Sequence, residues 1–345
     1  MGEFVSAVFS SQRSWMFSRF RVPMGLSPDH ILRGIERRKD RWEWMKKVEF
    51  VYSDREPPEE CRKSCPGPAA ISLWRTDDGQ TLDVCIDHAY ADAFSSAKAI
   101  RSICCPEDSD DWTPRPPRPT TTRWSLFETI ASLLTFLHAI LIMTTRWAKE
   151  MPSTAECQAR SLSRIDRAKA KMHSRGSLNS VGCAVLGRAN ALFSGEGRPT
   201  LIAVPVLIDP ALRNNNNIGG GIVVCSDGDL LSSTACQFER LRTTFLPHAL
   251  YRVANALPFG LSGSCLRAMT ARCDYVFSCV PCHQIQTASG VAEAVCAGLN
   301  SSLGPVSVVA VQSDDQLIPY VTAGPDFDLD RFADCWDRSI REILP

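Results

Sequence analysis

Leu82-Asp83-Val84-Cys85-Ile86-Asp87-His88-Ala89-Tyr90-Ala91-Asp92-Ala93-Phe94-Ser95 is the stretch whose reading decides the fold. The apolar run from Thr81 to Ile86 predicts a short strand, and Ala70 to Trp74 predicts its partner. Asp77-Asp78-Gly79-Gln80 lies between them, and Asp-Gly between two apolar runs is a hairpin signal. His88 then sits just past a strand end, with Asp92 four residues on, where a helix is expected to begin. Imidazole is the side chain whose ordinary pKa suits proton transfer near neutral pH. Four-residue His/Asp pairs are common, so on these residues alone a histidine that merely caps a strand end is the favoured reading.

Working outward, the chain divides by composition. Residues 1–105 form a first unit: 28–47 predicts an amphipathic helix with Ile31, Leu32, Ile35, Trp42, Trp44 and Met45 among charges, and 51–69 a loop. Residues 106–150 follow, opening with PEDSDDWTPRPPRPTTTR, whose five prolines at 106–123 block regular pairing. The run Leu126 to Met143 then approaches the ~20 residues needed to cross a bilayer, with Arg and Trp at both ends as interfacial anchors. Glu128 and His138 interrupt it, and a carboxylate in hydrocarbon costs roughly 2–3 kcal/mol. Three readings stay open for 126–143: a membrane-spanning helix, a helix buried between domains, and a helix lying against a membrane.

Residues 151–345 alternate helix and strand patterns. Helices are expected at Ala155 to Met172, Leu178 to Phe193, about 230–256 and Leu329 to Leu344. Strands are expected at Leu201 to Ile208, Ile222 to Cys225, Tyr275 to Val280, Val306 to Gln312 and Leu317 to Thr322. That alternation indicates an α/β layer architecture.

Composition bounds the function. The 345 residues carry 38 basic and 38 acidic side chains, and this balance argues against nucleic acid as the partner. With 44% hydrophobic and 22% charged residues the chain can bury a real core. Fifteen cysteines without regular spacing, and no secretory signal, point to reduced, buried thiols facing the cytosol. Met1-Gly2-Glu3-Phe4-Val5-Ser6 matches the myristoylation pattern loosely, and the acidic third residue speaks against it.

With its strand, His88-Ala89-Tyr90-Ala91-Asp92 resembles the H-x-x-x-D motif of the CoA-dependent acyltransferase superfamily. The later segments look most like its wax ester synthase/diacylglycerol acyltransferase branch. Ser177-Leu178-Asn179-Ser180-Val181 resembles that branch's T-x-N-D helix start, and Val204-Pro205-Val206 its P-V strand. Asn217-Ile218-Gly219-Gly220 is similar to its L-G-N turn, and Phe277-Ser278-Cys279-Val280-Pro281-Cys282 to its S-N-V-P-G-P segment. The segments fall in the family's order over about residues 80–344. Asp87 stands where the family often has a second histidine, and Ala93 where it has glycine. Ser180 and Gly220 replace the Asp and Asn of two motifs, and the segment before His88 is short.

This resemblance implies a two-lobed chloramphenicol-acetyltransferase-like or condensation-domain-like α/β fold with a central tunnel and a shortened N-terminal lobe. It implies a lobe at 1–105 carrying His88 and a second at 151–345. His88 would act as general base and Asp92 would orient the loop by an ion pair; Asn179, Gly219, Gly220, Ser278 and Pro281 match the family's motifs with no role assigned to them. The implied reaction moves a fatty acyl group from acyl-CoA, a co-substrate and no resident cofactor, to a long-chain alcohol or diacylglycerol. The alternatives are a short-chain alcohol acetyltransferase of the same fold and a non-catalytic lipid- or membrane-binding relative. A membrane-associated protein facing the cytosol, as at the endoplasmic reticulum, is the expected setting, with a soluble cytoplasmic one as the alternative.

Competing motifs are weaker. Cys279-Val280-Pro281-Cys282-His283 has the C-x-x-C-H form of haem attachment, which requires export. A zinc site from Cys279, Cys282, Cys61 and Cys65 would need an unpersuasive C-x-x-x-C spacing, so no metal is expected. Gly219 to Gly221 lacks the Lys-Ser/Thr of a P-loop, and Ser264 breaks the G-x-S-x-G pattern at Gly260.

Overall fold

The computed structural model describes residues 15–23, 25–40, 42–56, 67–88, 90–91, 93–104, 126–149, 157–174, 177–207, 218–226, 228–244, 246–256, 259–281, 285–287, 290–300, 304–313 and 315–345. In chain order the elements are β1 (Trp15–Val22), α1 (Pro28–Arg38), a 3-10 turn (Glu43–Lys47), β2 (Val48–Ser53), β3 (Ala69–Thr76), β4 (Gly79–Asp87), α2 (Ala93–Cys104) and α3 (Leu126–Thr144). Then come β5 (Gln158–Ser161), β6 (Ile165–Asp166), α4 (Arg167–His173), α5 (Leu178–Ser194), β7 (Thr200–Leu207), β8 (Ile218–Cys225), α6 (Leu230–Thr243), α7 (Leu246–Ala256) and α8 (Phe259–Thr270). β9 (Tyr275–Pro281), β10 (Ile285–Thr287), β11 (Gly290–Asn300), β12 (Val306–Gln312), β13 (Gln316–Ala323) and α9 (Leu329–Ile343) complete the chain.

Two sheets result. The first runs β10-β11-β1-β4-β3-β2 and the second β5-β13-β12-β9-β7-β8, with β6 also on β13. The hairpin expected around Asp77-Asp78-Gly79 forms, β3 pairing antiparallel with β4 from Thr76↔Gly79 to Ala69↔Ile86. Gly79 takes φ +153°, which side-chain-bearing residues rarely adopt, so the glycine is what lets the strand leave the turn.

The alternation along the second sheet explains how the lobes join. In β12, Val306, Val308 and Ala310 belong to the core under α5 and α9, while Val309 and Val311 belong to the cluster that holds the first lobe's residues. β9 and β13 repeat this, Phe277 and Leu317 facing the helices, Val280 and Ile318 the other lobe. A period of two with both faces buried is what a Val/Ile-rich central strand requires. α9 presents Phe332 and Trp336 to that helix-side core, as its periodicity predicts, and Asp328 caps it by accepting from Arg331 N.

Several sequence expectations are corrected. The helix expected over 28–47 ends at Arg38, and the loop expected from 51 begins inside β2, which pairs parallel with β3. Ala155 to Met172 is not one helix: Gln158 to Ser161 pairs along β13, an edge whose polar residues suit the outermost strand, and only Arg167–His173 is helical. The helix at 230–256 is two, α6 and α7, with Pro247 at the start of the second. β1 and β10–β11 carried no sequence expectation. β11 pairs with β1, so residues 285–300, which the boundary at 151 assigns to the C-terminal lobe, complete the N-terminal sheet.

The apolar run at 126–143 is α3. Among the described residues no helix is long and apolar enough to cross a membrane. Nor is α3 buried between domains: Ala139 and Met143 pack on β7 and β8 residues Leu201, Ile222 and Val224, while the opposite face is exposed. Arg146, expected as an interfacial anchor, instead donates to the buried Asp274 at 2.6 Å; Lys149 Nζ adds a second bond at 2.9 Å and Leu201 N a third at 2.9 Å. Burial raises the Asp274 pKa, but the Lys149 charge and these hydrogen bonds outweigh it and hold the carboxyl below its ordinary range.

Candidate functional site

The turn after β4 is built by its backbone. Asp87 N donates to Pro68 O and Tyr90 N to Asp87 O, at 2.9 and 3.0 Å, so the chain reverses at His88. Asp87 is the last β4 residue and pairs with Trp15 of β1. Ala91, fully buried in the interlobe cluster, pulls the turn inward, while Tyr90 is exposed.

His88 is 5% exposed. Burial drives its pKa down to about 4, against a smaller upward pull from a backbone hydrogen bond. The ring is neutral throughout the physiological range, and a neutral imidazole is the form that accepts a proton. Asp92 lies outside the described residues, as do Cys282 and His283.

The helix that leaves this turn, α2, contacts β9 and β10. It thereby joins His88's loop to the strand carrying Ser278 and Pro281. Ser278 is half-buried and registers with Val309; it shares the lobe-facing side of β9 with Val280. Asn179 lies elsewhere, in the first turn of α5 and half-buried, where Ser177 Oγ accepts from Ser180 N at 3.3 Å. Gly219 and Gly220 do not form the expected turn; they are strand residues of β8, opposite Val206 and Pro205. β8 is the edge strand, two strands from β9. Gly221 follows them and lines a cleft with Ser132, Phe136, Gln237, Arg240 and Leu241. A Cβ at Gly221 would lie 2.7 Å from Leu241 Cδ2, so the glycine lets α6 close over the sheet. The described contacts place the strand carrying Ser278 and Pro281 against α2, and leave Asn179, Gly219 and Gly220 in other parts of the second lobe.

Two polar residues were missed. Ser307 of β12 and Thr322 of β13 are cross-strand partners, almost fully buried, on the lobe-facing side. Neither hydroxyl has a hydrogen-bond partner among the described residues. A serine inside Val306-Ser307-Val308-Val309 was the available signal, since a polar residue in an apolar strand needs a reason.

Most of the described cysteines behave as core residues, while Cys236 and Cys265 are exposed. Among the described side chains none is disulfide-bonded, and burial raises the Cys225, Cys273 and Cys279 thiols to about 12. Cys279, half of the haem- or zinc-like motif, packs against the helix-side core. Among the described residues no cluster of three or more His, Cys, Asp or Glu could hold a metal ion.

The architecture, two α/β lobes with a strand pair crossing from one to the other, is the two-lobed condensation-domain-like fold. Polyketide synthase associated protein 5 from Mycobacterium tuberculosis superposes with TM-score 0.62 at 14% identity, over 99% of this chain and 97% of that one. The epimerization domain from the third module of tyrocidine synthetase B gives 0.57 at 12%, over 99% and 93%. A mutant starter condensation domain of rhizomide synthetase RzmA, in complex with C8-CoA and Leu-SNAC, gives 0.59 at 10%, over 99% and 89%. No family model and no curated protein matches the sequence.

Proposed function

We propose that the chain is an acyl-CoA-dependent O-acyltransferase with His88 as general base. The observation that carries this reading is a buried, uncharged imidazole held by a backbone-pinned turn at a strand end, in a fold whose solved examples include an acyl-CoA complex. In the proposed reaction His88 takes the proton of an acceptor hydroxyl while the oxygen attacks the thioester carbonyl. The tetrahedral intermediate collapses, the carbon–sulfur bond breaks, and the imidazolium returns its proton to the departing thiolate. The products are an ester and free coenzyme A, and the imidazole ends as it began. The preferred donor is a fatty acyl-CoA and the preferred acceptor a long-chain alcohol or diacylglycerol, at a cytosol-facing membrane; this finer assignment rests on the wax ester synthase-like segments.

A second reading, a non-catalytic lipid-binding relative, is favoured by two observations. A histidine depressed to about 4 is a weak base, and Asp87 stands where the family often has another histidine. Purified protein given radiolabelled palmitoyl-CoA or acetyl-CoA with hexadecanol, diacylglycerol or a short alcohol separates these. Ester formation that His88→Ala abolishes supports transfer, and chain-length preference separates fatty from acetyl donors. Absence of turnover with every donor refutes the transferase reading.

A further inference from the structure

We propose that the outer face of α3 is a docking surface for an anionic lipid bilayer, with the helix lying in the plane of the interface. This inference is independent of the acyl-transfer reading. Leu126, Phe127, Ile130, Leu133, Leu134, Leu137 and Leu141 are all exposed, Leu126 at 76% and Leu141 at 64%. Their spacing of three and four residues puts them on one face, about 22 Å long at 1.5 Å per residue. This ridge of pure hydrocarbon ends near Trp147, which is 93% exposed. An indole at the end of an apolar surface is the side chain that partitions to the bilayer–water boundary.

The helix cannot leave the protein to span. Ser132 Oγ and Thr244 Oγ1 are 3.2 Å apart across its inner face, and Arg146 and Lys149 clamp its end to Asp274. It offers one face only, as an interfacial helix does.

Charge selects the lipid over a protein partner. α6 and α7 flank α3, and α8 contacts α7. α6, α7, α8 and the turn after them hold Arg240, Arg242, Arg252, Arg267 and Arg272 against the single acid Glu239, and α3 adds Glu128, so the group is cationic in a chain whose net charge is zero. Cations beside an apolar ridge match acidic headgroups. They oppose a symmetric pairing of two copies, which would bring like charges together. A specific protein interface typically carries about ten hydrogen bonds, whereas the seven ridge residues supply no side-chain donor or acceptor and, among the described residues, only His138 and Thr144 add exposed polar side chains along the helix.

The test is co-sedimentation of the full chain with phosphatidylcholine vesicles, with and without phosphatidylserine, at low and high salt. The expected result is binding that phosphatidylserine strengthens and salt weakens. Leu134→Glu combined with Leu141→Glu should lower partitioning at least about tenfold, both sites being exposed and free of core contacts. Arg252→Glu should weaken binding to phosphatidylserine vesicles alone. Quenching of Trp147 by brominated lipid, lost in Trp147→Phe, places the ridge at the interface. Failure to bind either vesicle overturns the proposal, as does binding indifferent to both variants. A dimer in sedimentation velocity that the Leu→Glu pair dissolves overturns it in favour of a second copy.

Discussion

Replacing His88 by glutamine keeps a polar side chain of similar reach and removes the titrating ring, so its effect on stability should depend on pH in a calculable way. The folded ring has a pKa of about 4 because it is buried, while in the unfolded chain it titrates near 6.5. Between these values the unfolded state binds a proton that the folded state refuses. Stability is therefore undiminished by this group above about 6.5 and is lost as pH falls from there to about 4. At ~1.4 kcal/mol per pH unit the interval amounts to about 3 kcal/mol. Urea unfolding of both proteins, followed by circular dichroism at about pH 7.5, 6, 5 and 4.5, isolates it, since every other titrating group is shared. The wild type should lose about 2–3 kcal/mol more than His88→Gln across that range. If the two curves stay parallel within about 0.5 kcal/mol, the ring is solvated in the folded protein, and the argument for a buried neutral base fails with it.

Three further outcomes follow from packing and charge. Asp274→Asn strands the largely buried Arg146 and should cost about 3–5 kcal/mol, whereas Lys149→Met, at a half-exposed partner, should cost under about 1 kcal/mol; the gap between wild type and Asp274→Asn should narrow as pH falls below the usual carboxylate range, because the depressed carboxyl then protonates. Gly298→Ala places a methyl 2.5 Å from Phe17 Cζ and 2.9 Å from Tyr320 Cδ1, at an edge-to-face pair joining the lobes; it should lower stability by about 1–3 kcal/mol, and Phe17→Leu should partly restore it in thermal melts. Tyr275→Phe removes a 2.9 Å bond to Asn190, whose amide donates to Thr200, and should cost about 1–3 kcal/mol in urea unfolding by leaving a buried acceptor unpaired.

How much of this was legible in the sequence depended on how locally each element is determined. The β3–β4 hairpin, α5, β9, β12, β13 and α9 were readable because turn chemistry or a periodic apolar face fixes them within their own residues. β11 was not: Gly290-Val291-Ala292-Glu293-Ala294-Val295 has small side chains and little alternation, and becomes a strand because β1 supplies a partner. The same holds for Gln158 to Ser161, polar residues recruited by an open edge. In the site, His88 was found because chemistry and position coincide at a strand end. Gly219 and Gly220 resemble the family's L-G-N turn in sequence, whereas β7 holds them extended. Asp274 escaped notice because the cations that pair with it, Arg146 and Lys149, are more than a hundred positions away in the chain.

The crossing of β11 sets an order of events for a nascent polypeptide. Trp15 pairs on one side with Asp87 and on the other with Asn300. The strand bordering the His88 turn thus waits for residues made nearly three hundred positions after it. A ribosome that has released only the first hundred residues has delivered a sheet with one raw edge, and edges of that kind invite mispairing. Long-range closure of this sort slows folding, so the imidazole's final surroundings are among the last features of the molecule to be completed.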